Sequence, residues 1–153
     1  MEALNQNTVT EITVAYKPKQ RAMDRPIITK SRDALVHFLT GFDMDLIAMQ
    51  EEFLVLYLNQ GNRVLGLYKA SKGGITGTVV DIRIILSVGL KLLATSMMIA
   101  HNHPSGNLNP SRADQELTGK IKEAASWMDI KLIDHLIVVP SGECFSFADE
   151  GYL

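Results

Sequence analysis

The stretch His101-Asn102-His103-Pro104-Ser105-Gly106-Asn107-Leu108-Asn109-Pro110-Ser111-Arg112-Ala113-Asp114 gathers two imidazoles, two hydroxyls and a carboxylate within fourteen residues. If residues 97–101 form a strand, side chains two apart point to the same side, so His101 and His103 converge. The loop that follows is long enough to fold back. Asp114, in the first turn of the next helix, is placed to supply a third ligand. Three nitrogen and oxygen ligands with a fourth position open describe catalytic zinc, whereas structural zinc sites fill all four positions. Imidazole with carboxylate also suits iron or manganese, so zinc is an inference from ligand chemistry and not an exclusion.

Each part of this pattern has an ordinary reading beside the chemical one. Ser111-x-x-Asp114 is also a helix start, because serine caps and an acidic residue is favoured in the first turn. A His-x-His pair on a strand can be incidental. The two coincidences together, at this spacing, explain less than a metal site does. The remaining histidines, His37 and His135, fall in separate elements. His37 reads as the flank of a short helix. His135, beside Asp134 in an apolar strand, reads as a hydrogen-bonded core histidine or as a partner of a ligand.

The elements that must position these residues follow from periodicity. Thr8 to Tyr16 alternates with period near two and predicts a strand. Pro18 and Pro26 bracket a basic connection. Ser31 caps a short helix with Ala34, Leu35, Phe38 and Leu39 on one face, and Gly41 ends it. Glu51 to Asn59 predicts a strand, Gln60-Gly61-Asn62 a turn, and Arg63 to Lys69 the returning strand. Gly73-Gly74 and Gly77 loosen the next stretch. Asp81 to Ala94 has helical spacing despite Gly89. Ser96 to His101 is short and apolar, as a buried strand is, and residues 104–109 are a loop. A helix begins at Pro110 or Ser111 and runs to about Asp129, with Leu117, Ile121, Ala124, Ala125 and Met128 inward. Leu132 to Val139 and Glu143 to Phe147 pair across Pro140-Ser141-Gly142. Three hairpins in all are expected. The fold class is therefore α/β, a mixed, largely antiparallel sheet sandwiched by helices and not a doubly wound parallel sheet.

The chain has 153 residues, is 46% hydrophobic and 21% charged, and carries a formal net charge of −2. That length predicts one domain, with residues 1–30 a strand and basic connection packed on a domain formed by residues 31–153. The composition excludes a disordered chain, a collagen-like repeat and a disulfide-stapled miniprotein. Lone Cys144 makes no internal bridge, which points to a reducing compartment. The apolar stretch from Ile82 to Ala100 is broken by Arg83, Gly89 and Lys91, and the first seven residues lack a basic start and an apolar core. The expectation is a cytoplasmic protein with no membrane partner. Between Lys17 and Asp33 six basic residues (Lys17, Lys19, Arg21, Arg25, Lys30, Arg32) stand against Asp24 and Asp33. Such a segment can touch phosphates, but without interleaved aromatics it reads as a solvated linker.

These residues carry a family resemblance. The His-x-His…Ser-x-x-Asp stretch resembles the JAMM (MPN+) metalloprotease signature, and His101-Asn102-His103-Pro104-Ser105-Gly106 resembles its bacterial RadC branch. The strand from Glu51 to Asn59 is similar to the family's E-x-F-x-V-L-x-L-N strand. Gly77 to Asp81, Asp134 to Val138 and Ser146 to Gly151 are similar to other family stretches, so the resemblance runs from about Thr8 to the C-terminus. It implies a cytidine-deaminase-like three-layer arrangement and a zinc ion held by His101, His103 and Asp114 with water as fourth ligand. It places the family's catalytic glutamate at Glu51, as general base, and its serine at Ser111, hydrogen-bonding a developing oxyanion. Composition alone does not choose Glu51 over Glu52. Alternation puts Glu51 on a face with Phe53, Val55 and Tyr57, pointing inward, and leaves Glu52 a solvated surface residue. The chain departs from the family in two ways. About thirty residues before Ser31 leave no room for the helix-hairpin-helix region often found there, and Ile82 stands where Pro is common.

Three functions follow in order of expectation. The first is a zinc-dependent metallohydrolase acting on a peptide or isopeptide bond of a peptide or protein substrate. The second is a non-catalytic scaffold or interaction module. The third is a DNA-associated protein, for which the basic segment and the family's repair-type name are the grounds. The residues give no oligomeric state.

Overall fold

The computed structural model describes residues 9–73 and 79–153. In chain order the described elements are a 3₁₀ turn (Ala22–Asp24), α1 (Ser31–Gly41), β1 (Glu52–Leu58), β2 (Val64–Lys72), α2 (Ile82–Lys91), β3 (Ser96–Asn102), α3 (Arg112–Ser126), β4 (Lys131–Val138) and β5 (Cys144–Ser146). The strands form one sheet in the order β2-β1-β3-β4-β5. β1 is antiparallel to both β2 and β3, β3 is parallel to β4, and β4 is antiparallel to β5. The mixed, largely antiparallel sheet is as expected. The single parallel pair is the one whose strands are joined through α3, the connection that parallel strands require.

β1 and β3 lie at the centre, and every residue of both is buried. Helices cover both faces. On one side Leu54, Leu56, Leu58, Met98, Ala100, Leu136 and Val138 meet Ala34 and Phe38 of α1. On the other Phe53, Val55, Tyr57, Met97 and Ile99 meet Ile85 of α2 and Ile121 and Ala125 of α3. Phe38 and Phe53, each no more than 1% exposed, bury side chains worth about 1.5–3 kcal/mol apiece. Gly89 explains how α2 sits so close to the sheet: a Cβ there would lie 3.2 Å from both the Tyr57 ring and Ile130. The Tyr57 hydroxyl donates to the Ile85 carbonyl beside it at 2.7 Å.

Several expectations change. Residues 9–16 form no strand, because they pair with no neighbour; Val9 and Ile12 stand 89% and 87% exposed, and Tyr16 instead reaches the Leu65 carbonyl through its hydroxyl. The described residues hold two hairpins, β1–β2 and β4–β5, not three. α1 starts at Ser31, but the cap comes from Asp33, whose Oδ2 accepts from the Thr29 amide and hydroxyl and from the Lys30 amide. α3 ends at Ser126, and Met128 is 47% exposed, not inward. Asp129 there has positive φ, which terminates the helical run. Thr8, Gly74, Gly77 and Thr78 lie outside the described residues.

Glu52 is the instructive correction. It is 4% exposed, not solvated, because the α1 layer covers the face opposite Phe53. Alternation on a two-sided sheet chooses a layer and does not separate inside from outside. Glu52 accepts from the Asp43 amide at 2.7 Å. Its own amide donates to Oδ1 of Asn102, fully buried, at 2.7 Å. The Asn102 Nδ2 group donates to the Ile47 and Gln50 carbonyls at 2.7 and 2.8 Å. One amide side chain thus holds the backbone on both sides of Glu51.

Removing that clamp leaves buried backbone groups unpaired, each costing about 1–3 kcal/mol. Asn102→Ala is expected to lower unfolding free energy by about 3 kcal/mol in urea titration. A change under about 0.5 kcal/mol would show that water replaces the clamp at no cost.

Candidate metal centre

β3 delivers the first histidine. His101 is its penultimate residue and sits opposite Phe53 of β1, on the face that α2 and α3 cover. Its ring stacks on Phe53 with centroids 6.2 Å apart. His103 lies just past the strand, held by its amide to the Val138 carbonyl at 2.8 Å. The chain then turns back on itself. Gly106, at φ +80°, donates its amide to the His103 carbonyl at 3.1 Å, a backbone conformation that glycine adopts without strain. That turn returns the Asn107 carbonyl to His103 Nδ1 at 2.6 Å. A carbonyl only accepts, so His103 carries a proton on Nδ1, and in the neutral ring Nε2 is the bare nitrogen.

α3 delivers the carboxylate. Ser111 is its N-cap: the Ser111 hydroxyl oxygen accepts from the Asp114 amide at 3.1 Å, and the Ser111 amide and hydroxyl both donate to Asp114 Oδ2 at 2.7 Å. This reciprocal box satisfies orphan donors of the first turn and also locks the Asp114 side chain. Its Oδ1 lies 3.1 Å from His101 Nε2, and Oδ2 lies 3.4 Å from His103 Nε2. The two Nε2 atoms are 2.9 Å apart. One ligand atom from each of the three side chains falls within a 4.8 Å span, a group that could hold a metal ion.

Electrostatics agree with the geometry. Burial acts to raise the Asp114 carboxyl, but the His101 and His103 imidazoles beside it and the Ser111 hydroxyl outweigh it and hold it well below the usual carboxylate range. Hydrogen bonding to Asp114 raises His103 against the opposing effect of its burial. Both shifts express one demand, for positive charge between the ligands. The donor set fits zinc: two imidazoles and one carboxylate, open to a cavity of about 560 Å³ that Glu51, Phe53, Pro104 and Leu117 also line. Glu51 thus shares the pocket with the ligands, and Ser111 lies on its wall.

The comparisons with known proteins bear on the same residues. A model of the RadC-like JAB domain family matches residues 28–152. The chain belongs to that family. A "UPF0758 protein" from Flavobacterium johnsoniae is 50% identical over 101 residues, covering 66% of this chain and 44% of its own length. Similar proteins of the same name occur in Porphyromonas gingivalis (41% over 136 residues; 89% of this chain, 59% of the relative) and Albidiferax ferrireducens (39% over 148 residues; 94% and 62%). The chain therefore spans about half to three-fifths of the length of these relatives.

In this RadC-like JAB domain His37 stands on α1, half-buried and outside the ligand group. His135 is fully buried, and burial followed by the neighbouring His101 pushes it well below the ordinary histidine range. Its Nε2 lies 2.8 Å from His101 Nδ1, and its Nδ1 lies 2.6 Å from Thr118 Oγ1. It is the hydrogen-bonded partner of a candidate ligand, and its ring stacks on Phe147 at 4.5 Å. Sequence reasoning missed Thr118 and Asn102. Thr118 sits four residues after Asp114 on α3, a spacing that could have pointed to it; Asn102 lies inside the His-x-His pair itself. The basic residues 17–25 lie on the surface, where Arg25 rests over the Tyr16 ring and Arg21 pairs with Asp24. No helix among the described residues is long and apolar enough to cross a membrane.

Because Ser111 caps α3 as well as facing the pocket, its loss has a price in stability. Ser111→Ala is expected to cost about 1 kcal/mol, read by calorimetry as a thermal midpoint lower by about 3 °C. An unchanged midpoint would mean that the cap is made by water.

Proposed function

We propose that this domain is a zinc-dependent hydrolase that cleaves a peptide or isopeptide bond in a peptide or protein substrate. The observation that carries the reading is the convergence of His101 Nε2, His103 Nε2 and the Asp114 carboxylate on a pocket that a fourth ionisable side chain, Glu51, also lines. A site that only stapled the fold would enclose its ligands, whereas these open onto a cavity that can admit a substrate. Bound there, zinc would lower the pKa of a water molecule toward neutrality and polarise a carbonyl oxygen.

The chain's own residues supply the rest. Glu51 is anchored on both sides of its backbone, by Asn102 and by the Gly73 amide, which donates to the Glu51 carbonyl at 2.7 Å. With its backbone fixed and its side chain lining the pocket, Glu51 is fitted to accept a proton from water and return it to a leaving amine. Ser111 faces the same cavity with one hydroxyl proton, which goes to Asp114 Oδ2 in this structure. To stabilise an oxyanion that hydroxyl must turn away from Asp114 toward the substrate carbonyl. Phe53 and Leu117 form apolar walls that thin the water around the reacting groups and strengthen each polar contact.

Elemental analysis of the purified chain should find about one zinc per molecule, lost in His103→Ala. Glu51→Gln should keep the zinc and lose at least about 100-fold in turnover of peptide or isopeptide substrates. A folded wild type that takes up no zinc would overturn the metal reading, and undiminished turnover in Glu51→Gln would remove Glu51 from the chemistry.

A further inference from the structure

Behind His101, away from the pocket, a short chain of polar groups crosses the core from β3 to β4 to α3. None of its outer members is used in the proposed hydrolysis. His135 is 0% exposed, and each of its ring nitrogens has one partner: Nε2 meets His101 Nδ1 at 2.8 Å, and Nδ1 meets Thr118 Oγ1 at 2.6 Å. Thr118, 2% exposed, in turn donates its hydroxyl to the Asp114 carbonyl at 2.6 Å. The chain therefore begins at the backbone of one candidate ligand and ends on the ring of another.

We propose that Thr118 and His135 are positioning residues, a one-way hydrogen-bond relay that decides which nitrogen of His101 stays bare; the inference rests on the metal-site reading above. The direction follows from counting protons. A threonine hydroxyl has one, and here it goes to a carbonyl that can only accept. Toward His135 the Thr118 oxygen is then an acceptor, which requires a proton on His135 Nδ1. A fully buried imidazole facing a hydroxyl on one side and another imidazole on the other carries a single proton, so His135 Nε2 is a lone pair. His101 must donate to it from Nδ1. That leaves His101 Nε2 bare, and Nε2 is the atom that faces Asp114 Oδ1 at 3.1 Å and His103 Nε2 at 2.9 Å.

The opposite polarity would place the proton on His101 Nε2, inside the ligand group, where a cation would have to displace it. His103 is set independently by the Asn107 carbonyl, so the two ligands are oriented from opposite sides, one by a loop and one through the core. Partners of this kind typically change metal affinity by 10–100-fold when removed. Thr118→Val deletes the acceptor while nearly keeping the shape. His135 Nδ1–H then has nowhere to go, and the ring does better with its proton on Nε2, donating to His101 and reversing the relay.

The test combines zinc titration against a competing chelator with nitrogen-15 spectra of the histidine rings, both with and without zinc. In zinc-free wild type, His135 is expected as the Nδ1–H tautomer. Thr118→Val should weaken zinc binding about 10–100-fold and move the His135 proton to Nε2, while Thr118→Ser, which keeps the hydroxyl, should restore both. Wild-type His135 protonated on Nε2 would overturn the relay, as would wild-type zinc affinity in Thr118→Val. Should Thr118→Val not fold, the wild-type ring spectra decide the matter alone. A wild type that shows the expected tautomer yet binds no zinc would support the relay and overturn the metal reading, so the two fail separately.

Discussion

Two bare or contested imidazole nitrogens 2.9 Å apart, with a carboxylate at 3.1 and 3.4 Å from them, repel one another unless a positive charge sits among them. A proton on one imidazole can supply that charge, which is why Asp114 favours its ionised form and His103 its protonated one. A metal ion can supply it more completely. Either way the arrangement must be enforced from outside, because left to themselves these side chains would rotate into solvent. The rest of the structure can be understood as the means of enforcing it.

The enforcement is divided between the two faces of the sheet. The face under α2 and α3 carries the candidate site: His101 on β3, His135 on β4, and Asp114 at the start of α3. The face under α1 carries the clamp, the Asn102 side chain accepting from the Glu52 amide just beyond the Phe53–His101 pair of β1 and β3. Because neighbouring residues on a strand point to opposite faces, a His-Asn-His sequence places a structural amide between two candidate ligands without competing for their space. The sheet acts as a partition: hydrogen bonding on one side fixes the backbone from which the other side's chemistry projects.

Much of this was legible in the residues themselves. The short apolar run at β3 marked a buried strand, and the starts of α2 and α3 followed from periodicity and from Asp81 and Ser111. The His101, His103 and Asp114 group was visible as spacing alone. What spacing could not show was that the helix cap and the placing of Asp114 are one interaction: Oδ2 takes the two cap donors, and that same lock turns Oδ1 toward His101. The role of Thr118 was hidden for another reason. A threonine on a helix bonding to the carbonyl four residues back is commonplace, and only the arrival of β4 beside it gives its oxygen a second partner.

The misreading of Glu52 and of residues 9–16 has a shared physical origin. Period-two alternation reports a strand's two faces but neither what covers them nor whether a partner strand exists. At Glu52 the unseen factor was α1 and the turn that follows it, whose Asp43 amide satisfies the carboxylate in a buried setting. At residues 9–16 it was the absence of a ladder to join, so that alternation alone left apolar side chains facing water. Backbone amides need partners before a strand can exist, and those partners come from elsewhere in the chain. The site escapes this limitation because its two critical spacings, His-x-His and Ser-x-x-Asp, act over one turn or less. Only the joining of the two, across the loop that Gly106 folds back, is tertiary.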